Sequence, residues 1–351
     1  MQTDELFIQR CFQLALMGAG HVSPNPMVGA VITAEGKIIG EGYHMQYGQA
    51  HAEVNAVNSV RDKELLSRAT VYVSLEPCSH YGKTPPCAEL LVKNKIKKCV
   101  IANFDPNPKV AGRGIQMLKD AGIEVQCGVL QEQGRFLNRR FFCFQEKKRP
   151  YIILKLAQSA DGYMDINTGS GEHSDYWITN DALKVFVHKM RAENDAFFAG
   201  FNTVKNDNCR LNVRHVEGRN PLRITYDRDL SLAKTLNFFD CSQPTVIFNN
   251  KQTKTVNQNL RYIKTEDTVN YIEEILQHLY GMGVSSLVVE GGKKTAEYLL
   301  NRNLWDEACI LTGNTMFNKG IKTPVIATRK KASTSRVSDN RIDVYYNDNA
   351  F

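Results

Sequence analysis

Apolar positions along the first 130 residues change period several times. Residues 3–20, TDELFIQRCFQLALMGAG, set apolar side chains at helical spacing behind acids in the first turn. With Thr3 as N-cap and glycines at the end, they predict a helix. MVGAVIT at 27–33 and KIIGEGYH at 37–44 are apolar runs joined by Ala34, Glu35 and Gly36, and predict a hairpin. The pattern then alternates: helix at 51–60, strand at 70–77, helix at 84–95, strand at 98–105, helix at 112–122 and strand at 123–129. Such an order predicts an α/β sheet domain.

The polar run QEKKRP at 145–150 closes this series, and YIILKLAQSADGYM at 151–164 starts another. Helices are predicted at 180–193, 269–283 and 293–304, and strands at 195–201, 221–227, 244–250 and 285–292. The stretch 328–341 reads as a loop before a last strand, IDVYY. At 351 residues the chain exceeds the size at which one core usually stops growing. Two domains are expected, 1–146 and 147–351.

Composition adds exclusions. No apolar run approaches the roughly 20 residues of a membrane helix, and the start MQTDELF carries acids where a signal peptide carries lysines, so a cytoplasmic protein is expected. Nine cysteines, an odd number, argue for reduced thiols or metal ligands over a disulfide framework. Seven of them, Cys11, Cys99, Cys127, Cys143, Cys209, Cys241 and Cys309, stand singly and read as small core residues. The net charge of +7 forms no basic block. A nucleic-acid partner is therefore not expected, and a phosphorylated small molecule fits the mild excess.

The chemistry concentrates in HAEVNAV from His51 and EPCSHYGKTPPC from Glu76 to Cys87. Catalytic zinc takes three protein ligands and leaves a fourth position open, and His51, Cys78 and Cys87 supply such a set. Positions two apart on a helix point about 200° apart, so His51 and Glu53 flank a metal instead of both binding it. Thr84 is the expected N-cap and Pro85 the first helical residue of the next helix, with Cys87 in a first turn that favours a thiolate. A structural zinc with His80 as fourth ligand is the alternative.

The H-x-E pattern followed by Pro-Cys and a second Cys resembles the zinc-dependent nucleobase deaminases, in which the glutamate moves protons without binding metal. The long Cys78 to Cys87 spacing, SPNPMVGAVI at 23–32, GYH at 42–44 and DPNPKVAGRG at 105–114 resemble the pyrimidine deaminase of riboflavin synthesis more closely. The resemblance implies Glu53 as the proton-transfer residue and Zn2+ on His51, Cys78 and Cys87. It also implies substrate contacts at Asn25, His44, His80, Lys83, Asp105 and Asn107. Of these, Lys83 and His44 are the natural charged donors to phosphate or carbonyl groups.

In the second half, LKLAQSADG at 154–162, WIT at 177–179, HKMRA at 188–192, GFNTVKNDNCRLNVR at 200–214 and VVEGG at 288–292 resemble the reductase domain of the bifunctional members of that family. The implied architecture is a cytidine-deaminase-like three-layer α/β/α domain followed by a dihydrofolate-reductase-like α/β domain. NADPH is implied at Ala157, Trp177, Thr203, Asp207, Gly292, Lys293, Lys294, Thr295, Ala296, Glu297 and Tyr298. The implied reductase substrate contacts are Lys155, Ser174, Arg191, Leu211, Arg214 and Glu290. The resemblance also implies a homo-oligomer acting on a phosphorylated pyrimidine: hydrolytic deamination, then reduction of its ribosyl group to ribityl.

Three features depart from the family pattern. The family reads D-(D/N)-P where this chain has Asp207, Asn208 and Cys209, which frees the loop; GEHSDYW at 171–177 is longer than usual; and TGNTMFNKGIKTP at 312–324 lacks the usual glycines. These leave a deaminase with a weak reductase half as one alternative. A tRNA or free-base deaminase with an unrelated second domain is another, and a structural-zinc protein with a nucleotide-sensing domain is a third.

Overall fold

The computed structural model describes residues 3–81, 85–107, 110–166, 178–266, 269–326, 331–348 and 350. It divides into two compact units, Met1–Lys147 and Lys148–Ala350.

In chain order the first unit holds α1 (Thr3–Leu16), β1 (Gly29–Ala34), β2 (Lys37–Tyr43), α2 (Ala52–Ser59), β3 (Thr70–Leu75), α3 (Cys87–Lys93), β4 (Lys98–Asn103), α4 (Arg113–Asp120), β5 (Glu124–Cys127), α5 (Gln131–Leu137) and α6 (Arg139–Lys147). The sheet order is β2-β1-β3-β4-β5. β1 runs antiparallel to β2 and β3, while β3, β4 and β5 are parallel.

Alternation along the strands builds both faces. Ala30, Ile32, Val71, Val73, Cys99 and Ile101 pack against α2, α3 and α4. Val31, Tyr72, Val100 and Ala102 pack against Phe7, Ile8, Cys11 and Phe12 of α1 on the other face. The result is the three-layer α/β/α arrangement. Gly42 lets α2 lie close on β2, since a Cβ there would stand 2.3 Å from the Ala56 nitrogen.

The second unit holds β6 (Tyr151–Gln158), β7 (Tyr163–Asp165), α7 (Asp181–Glu193), β8 (Ala196–Ala199), α8 (Phe201–Asp207), β9 (Leu222–Tyr226), β10 (Thr245–Asn249), β11 (Lys254–Asn257), β12 (Leu260–Lys264), α9 (Tyr271–Gly281), β13 (Ser286–Glu290), α10 (Lys293–Asn301), β14 (Glu307–Thr312), β15 (Ile321–Lys322), β16 (Lys331–Val337) and β17 (Asn340–Tyr346). Its main sheet runs β11-β12-β10-β9-β8-β13-β6-β14-β17-β16, parallel from β12 through β14. One face packs on Ile272, Ile275, Leu276 and Leu279 of α9, and α7 covers Cys309, Leu311 and Ile342.

Several sequence expectations are corrected. The stretch expected as a loop at 328–341 contains β16, which pairs with β17 as a hairpin on the sheet edge. Pro86 is the N-cap of α3 and Cys87 its first residue, two positions later than expected, because Pro86 keeps extended dihedrals. Thr84 lies outside the described residues. Cys127, Cys209 and Cys241 are only half-buried, whereas Cys11, Cys99, Cys143 and Cys309 are buried. Among the described residues no helix is long and apolar enough to cross a membrane.

Candidate active sites

In the first unit, the ends of β3 and β4, the start of α2 and part of α6 surround a cavity of about 430 Å³. His51 is the N-cap residue of α2, Cys78 follows the end of β3 by three residues, and Cys87 opens α3. His51 Nδ1 stands 3.5 Å from Cys78 Sγ and 3.3 Å from Cys87 Sγ. The three donor atoms lie within 4.8 Å of one another.

Zinc bonds of about 2.0–2.1 Å to nitrogen and about 2.3 Å to sulfur, at tetrahedral angles, give N···S edges of about 3.6 Å. The donor set therefore fits zinc. The Cys87 amide donates to Cys78 Sγ at 3.3 Å. The Cys78 thiol is held below its ordinary value, first by its hydrogen bond with Cys87, while the same pairing raises Cys87. His80 borders the cavity without joining the donor cluster.

Glu53, one residue inside α2, is 4% exposed and borders the same cavity. Burial, followed by the charge of Cys78, pushes its carboxyl up to about 7. A carboxyl so poised exchanges protons readily near neutrality.

Asn25, His44, Asp105 and Asn107 also border the cavity, and Lys83 lies outside the described residues. His44 was expected as a charged donor. Its Nδ1 lies 3.0 Å from the Ala50 carbonyl and its Nε2 3.2 Å from Asn25 Nδ2, an arrangement that assigns the proton to Nδ1. Burial lowers its pKa. His44 thus orients Asn25, and the burial of its ring works against the charged form. Asp105 is half-buried, and that burial pushes its carboxyl up to about 6. Phe141, Phe144 and Gln145 complete the wall from α6, which the sequence reading passed over. The aromatic spacing of RRFFCFQEK was the available signal.

The second unit holds a cavity of about 860 Å³. Lys155, Arg191, Leu211, Arg214 and Glu290 border it, as do Ala157, Thr203, Asp207, Gly292 and Lys293. Ser174 and Trp177 lie outside the described residues. Glu290 stands 3.4 Å from both Lys155 Nζ and Arg191 Nη2. Burial pushes its carboxyl up, but the two cations outweigh this and leave it below the usual carboxylate range.

Only the start of the 292–298 segment meets this cavity. Lys294 is exposed, Ala296 is buried in the core face of α10, Glu297 pairs with Lys293, and the Tyr298 hydroxyl donates to the Val269 carbonyl. Thr295 instead packs between the two glycine turns: a Cβ on Gly200 would come 3.2 Å from its Oγ1, and one on Gly291 2.8 Å from its Cβ. Gly200 and Gly292 are the N-cap residues of α8 and α10, which follow the adjacent parallel strands β8 and β13. Two side-chain-free helix starts beside one cavity fit the phosphates of a dinucleotide such as NADPH.

The Asp207–Cys209 loop is held without proline. Asn208 caps α8 in the left-handed conformation, its Oδ1 accepts from the Asn237 amide at 2.7 Å, and its carbonyl accepts from Asn237 Nδ2 at 2.6 Å. Sequence reasoning missed His188, a buried cavity residue whose Nδ1 accepts the Arg214 amide at 2.8 Å and whose Nε2 lies 3.2 Å from Arg191. It braces both arginines.

The fold and site together define a zinc-site deaminase unit joined to a nucleotide-binding unit. Comparison with known proteins specifies them. Residues 1–103 match the cytidine and deoxycytidylate deaminase zinc-binding region, and residues 150–347 match the RibD C-terminal domain. The chain is 39% identical to the riboflavin biosynthesis protein RibD of Bacillus amyloliquefaciens, over 89% of this chain and 86% of that one. It is 35% identical to RibD of Aquifex aeolicus over 97% and 96%. A Thermotoga maritima diaminohydroxyphosphoribosylaminopyrimidine deaminase / 5-amino-6-(5-phosphoribosylamino)uracil reductase superimposes with a TM-score of 0.88 at 34% identity, covering 98% of each chain. The chain belongs to the RibD family of riboflavin biosynthesis proteins.

Proposed function

We propose that this chain performs two consecutive reactions on one phosphorylated scaffold. The first unit hydrolyses an amino group from a diaminopyrimidine carrying a phosphoribosylamino chain, and the second reduces the ribosyl group of the product to ribityl. The meeting of His51, Cys78 and Cys87 around one point, beside the buried Glu53 in a cavity, carries the reading.

His51, Cys78 and Cys87 hold zinc, which when bound supplies activation of water at neutral pH. Glu53 takes the proton from the attacking water and delivers it to the departing amino group, so that ammonia leaves and a ring carbonyl remains. Asn25, held by His44, together with His80, Asp105 and Asn107, orients the ring and its phosphoribosyl chain; Lys83 is assigned the phosphate by its charge.

In the second unit NADPH, when bound against the Gly200 and Gly292 turns, supplies hydride. Lys155 stands as the cation beside the sugar and favours the ring-opened imine that accepts the hydride, with Glu290 fixing its position. Arg191 and Arg214 take the phosphate, their planar forks suiting it. Replacing Arg214 by Ala is expected to raise the reductase KM about 10- to 100-fold, the worth of one or two charge-assisted hydrogen bonds. Steady-state kinetics on the deaminated intermediate measures this, and an unchanged KM removes Arg214 from the phosphate site.

The reading carries a cytoplasmic homo-oligomer that needs no nucleic acid; the dispersed charge supports the last point. Zinc removal tests the division of labour. Chelation is expected to abolish ammonia release, and zinc to restore it, while NADPH oxidation on preformed deaminated intermediate continues. Ammonia release that survives complete zinc removal contradicts the first half of the proposal.

A further inference from the structure

Glu76 follows the last residue of β3, is 4% exposed and borders the deaminase cavity, yet it is neither a zinc donor nor one of the substrate contacts assigned above. Its amide donates to the Asn103 carbonyl at 2.9 Å, which fixes it between the ends of the parallel strands β3 and β4. Its carboxylate spans the connection that leaves β4. Oε2 accepts from the Asp105 amide at 3.3 Å and the Gly112 amide at 3.0 Å. Oε1 accepts from the Gly114 amide at 3.1 Å and the Ile115 amide at 3.4 Å.

Gly112 is the N-cap residue of α4 and has no side chain with which to cap it. The free amides of the first turn of α4 are satisfied instead by a carboxylate 38 and 39 residues earlier in the chain. The negative charge also sits at the favourable end of the helix. Gly114 completes the fit, because a Cβ there would lie 2.0 Å from the Pro77 carbonyl oxygen. The same carboxylate thus grips both sides of the connection. At its near side Asp105 accepts the Asn107 amide at 2.8 Å, and both side chains border the cavity.

We propose that Glu76 is a positioning residue for deamination: by capping α4 and binding the Asp105 amide, it presents Asp105 and Asn107 to the pyrimidine ribosyl phosphate. The proposal rests on the reading of this cavity as the deaminase site.

The test is Glu76→Gln, which keeps the shape but replaces one accepting oxygen by a donor facing two amides. Its KM for the diaminopyrimidine ribosyl phosphate is expected to rise about tenfold or more, the cost of about one charged hydrogen bond transmitted to substrate binding, with kcat changing less. Zinc content and NADPH oxidation on preformed intermediate are expected to stay at parental levels. In an Asp105→Asn background the further effect of Glu76→Gln shrinks to about twofold or less, since residues acting through one another are not additive.

A fall in kcat that tracks zinc content, with KM unchanged and the same in both backgrounds, marks a merely structural residue and overturns the proposal. Hydrogen exchange on the parent chain serves if the variant does not fold. The amides of Gly112 and Gly114 are expected to be as protected as the interior of α4, and fast exchange there refutes the cap. If the parent releases no ammonia, the deaminase reading fails, while the exchange experiment still judges the cap by itself.

Discussion

Replacing Glu53 by Gln is expected to lower ammonia release about 10²- to 10⁴-fold, while zinc stays bound and NADPH oxidation on the deaminated intermediate is unchanged. The amide matches the carboxyl in size, so the packing of α2 survives. His51 stays at the N-cap with its Nδ1 toward the two thiols, and the donor set keeps its geometry. What is lost is a group that can accept a proton from water and return it to nitrogen. Burial, which brings the carboxyl to about 7, equips it for both transfers. Metal analysis with an ammonia assay checks this; near-parental turnover would remove Glu53 from proton transfer.

Replacing Glu290 by Gln is expected to destabilise the reductase unit by about 3 kcal/mol at neutral pH, because it leaves Lys155 and Arg191 without their shared counter-charge. The pH dependence follows from the direction of the shift. The folded carboxyl titrates below the usual 4.5, so its contribution is present above that value and disappears as pH falls through the lower, folded value. The stability gap between parent and variant is therefore expected to be full at pH 7 and to narrow progressively below about 4.5. Denaturant melts across that range measure it, and a gap that is absent at neutral pH or widens in acid contradicts the account.

The meeting of His51, Cys78 and Cys87 was legible because zinc chemistry leaves few choices: one histidine, two cysteines near a proline-led helix, and an acid two residues from the histidine. Helices and strands with a clear period were legible too, including the hairpin at Glu35 and Gly36 and the β13 to α10 turn. The losses have physical causes. In β16, KASTSRV lies on the sheet edge with its described residues mostly exposed, so no alternation of apolar and polar positions marks it. The strands β7, β11, β12, β14 and β15 and the helices α5, α6 and α8 were also passed over. β11 is wholly exposed, α8 is seven residues long, and β14 is buried along its whole length and carries no alternation.

Charge state was less legible than residue type. His44 was expected as a charged donor, but burial lowers its pKa, and its ring lies between the Ala50 carbonyl and Asn25. The loss of proline at Cys209 suggested a freed loop, whereas Asn208 and Asn237 hold it by reciprocal hydrogen bonds. Glu76 lay in plain view beside Cys78, but its role depends on amides brought together only by the parallel pairing of β3 and β4. Likewise, the glycines at 291 and 292 pointed to a phosphate turn, but the outward course of α10 carries Ala296 and Tyr298 away from the cavity.

The central claim, two successive activities in one chain, is tested most directly by following ammonia and NADPH absorbance together in zinc-loaded protein supplied with the diaminopyrimidine ribosyl phosphate. The account predicts that ammonia appears first and NADPH oxidation follows after a lag, with one NADPH consumed per ammonia released. Failure of either signal, or NADPH consumption that precedes ammonia, would contradict it.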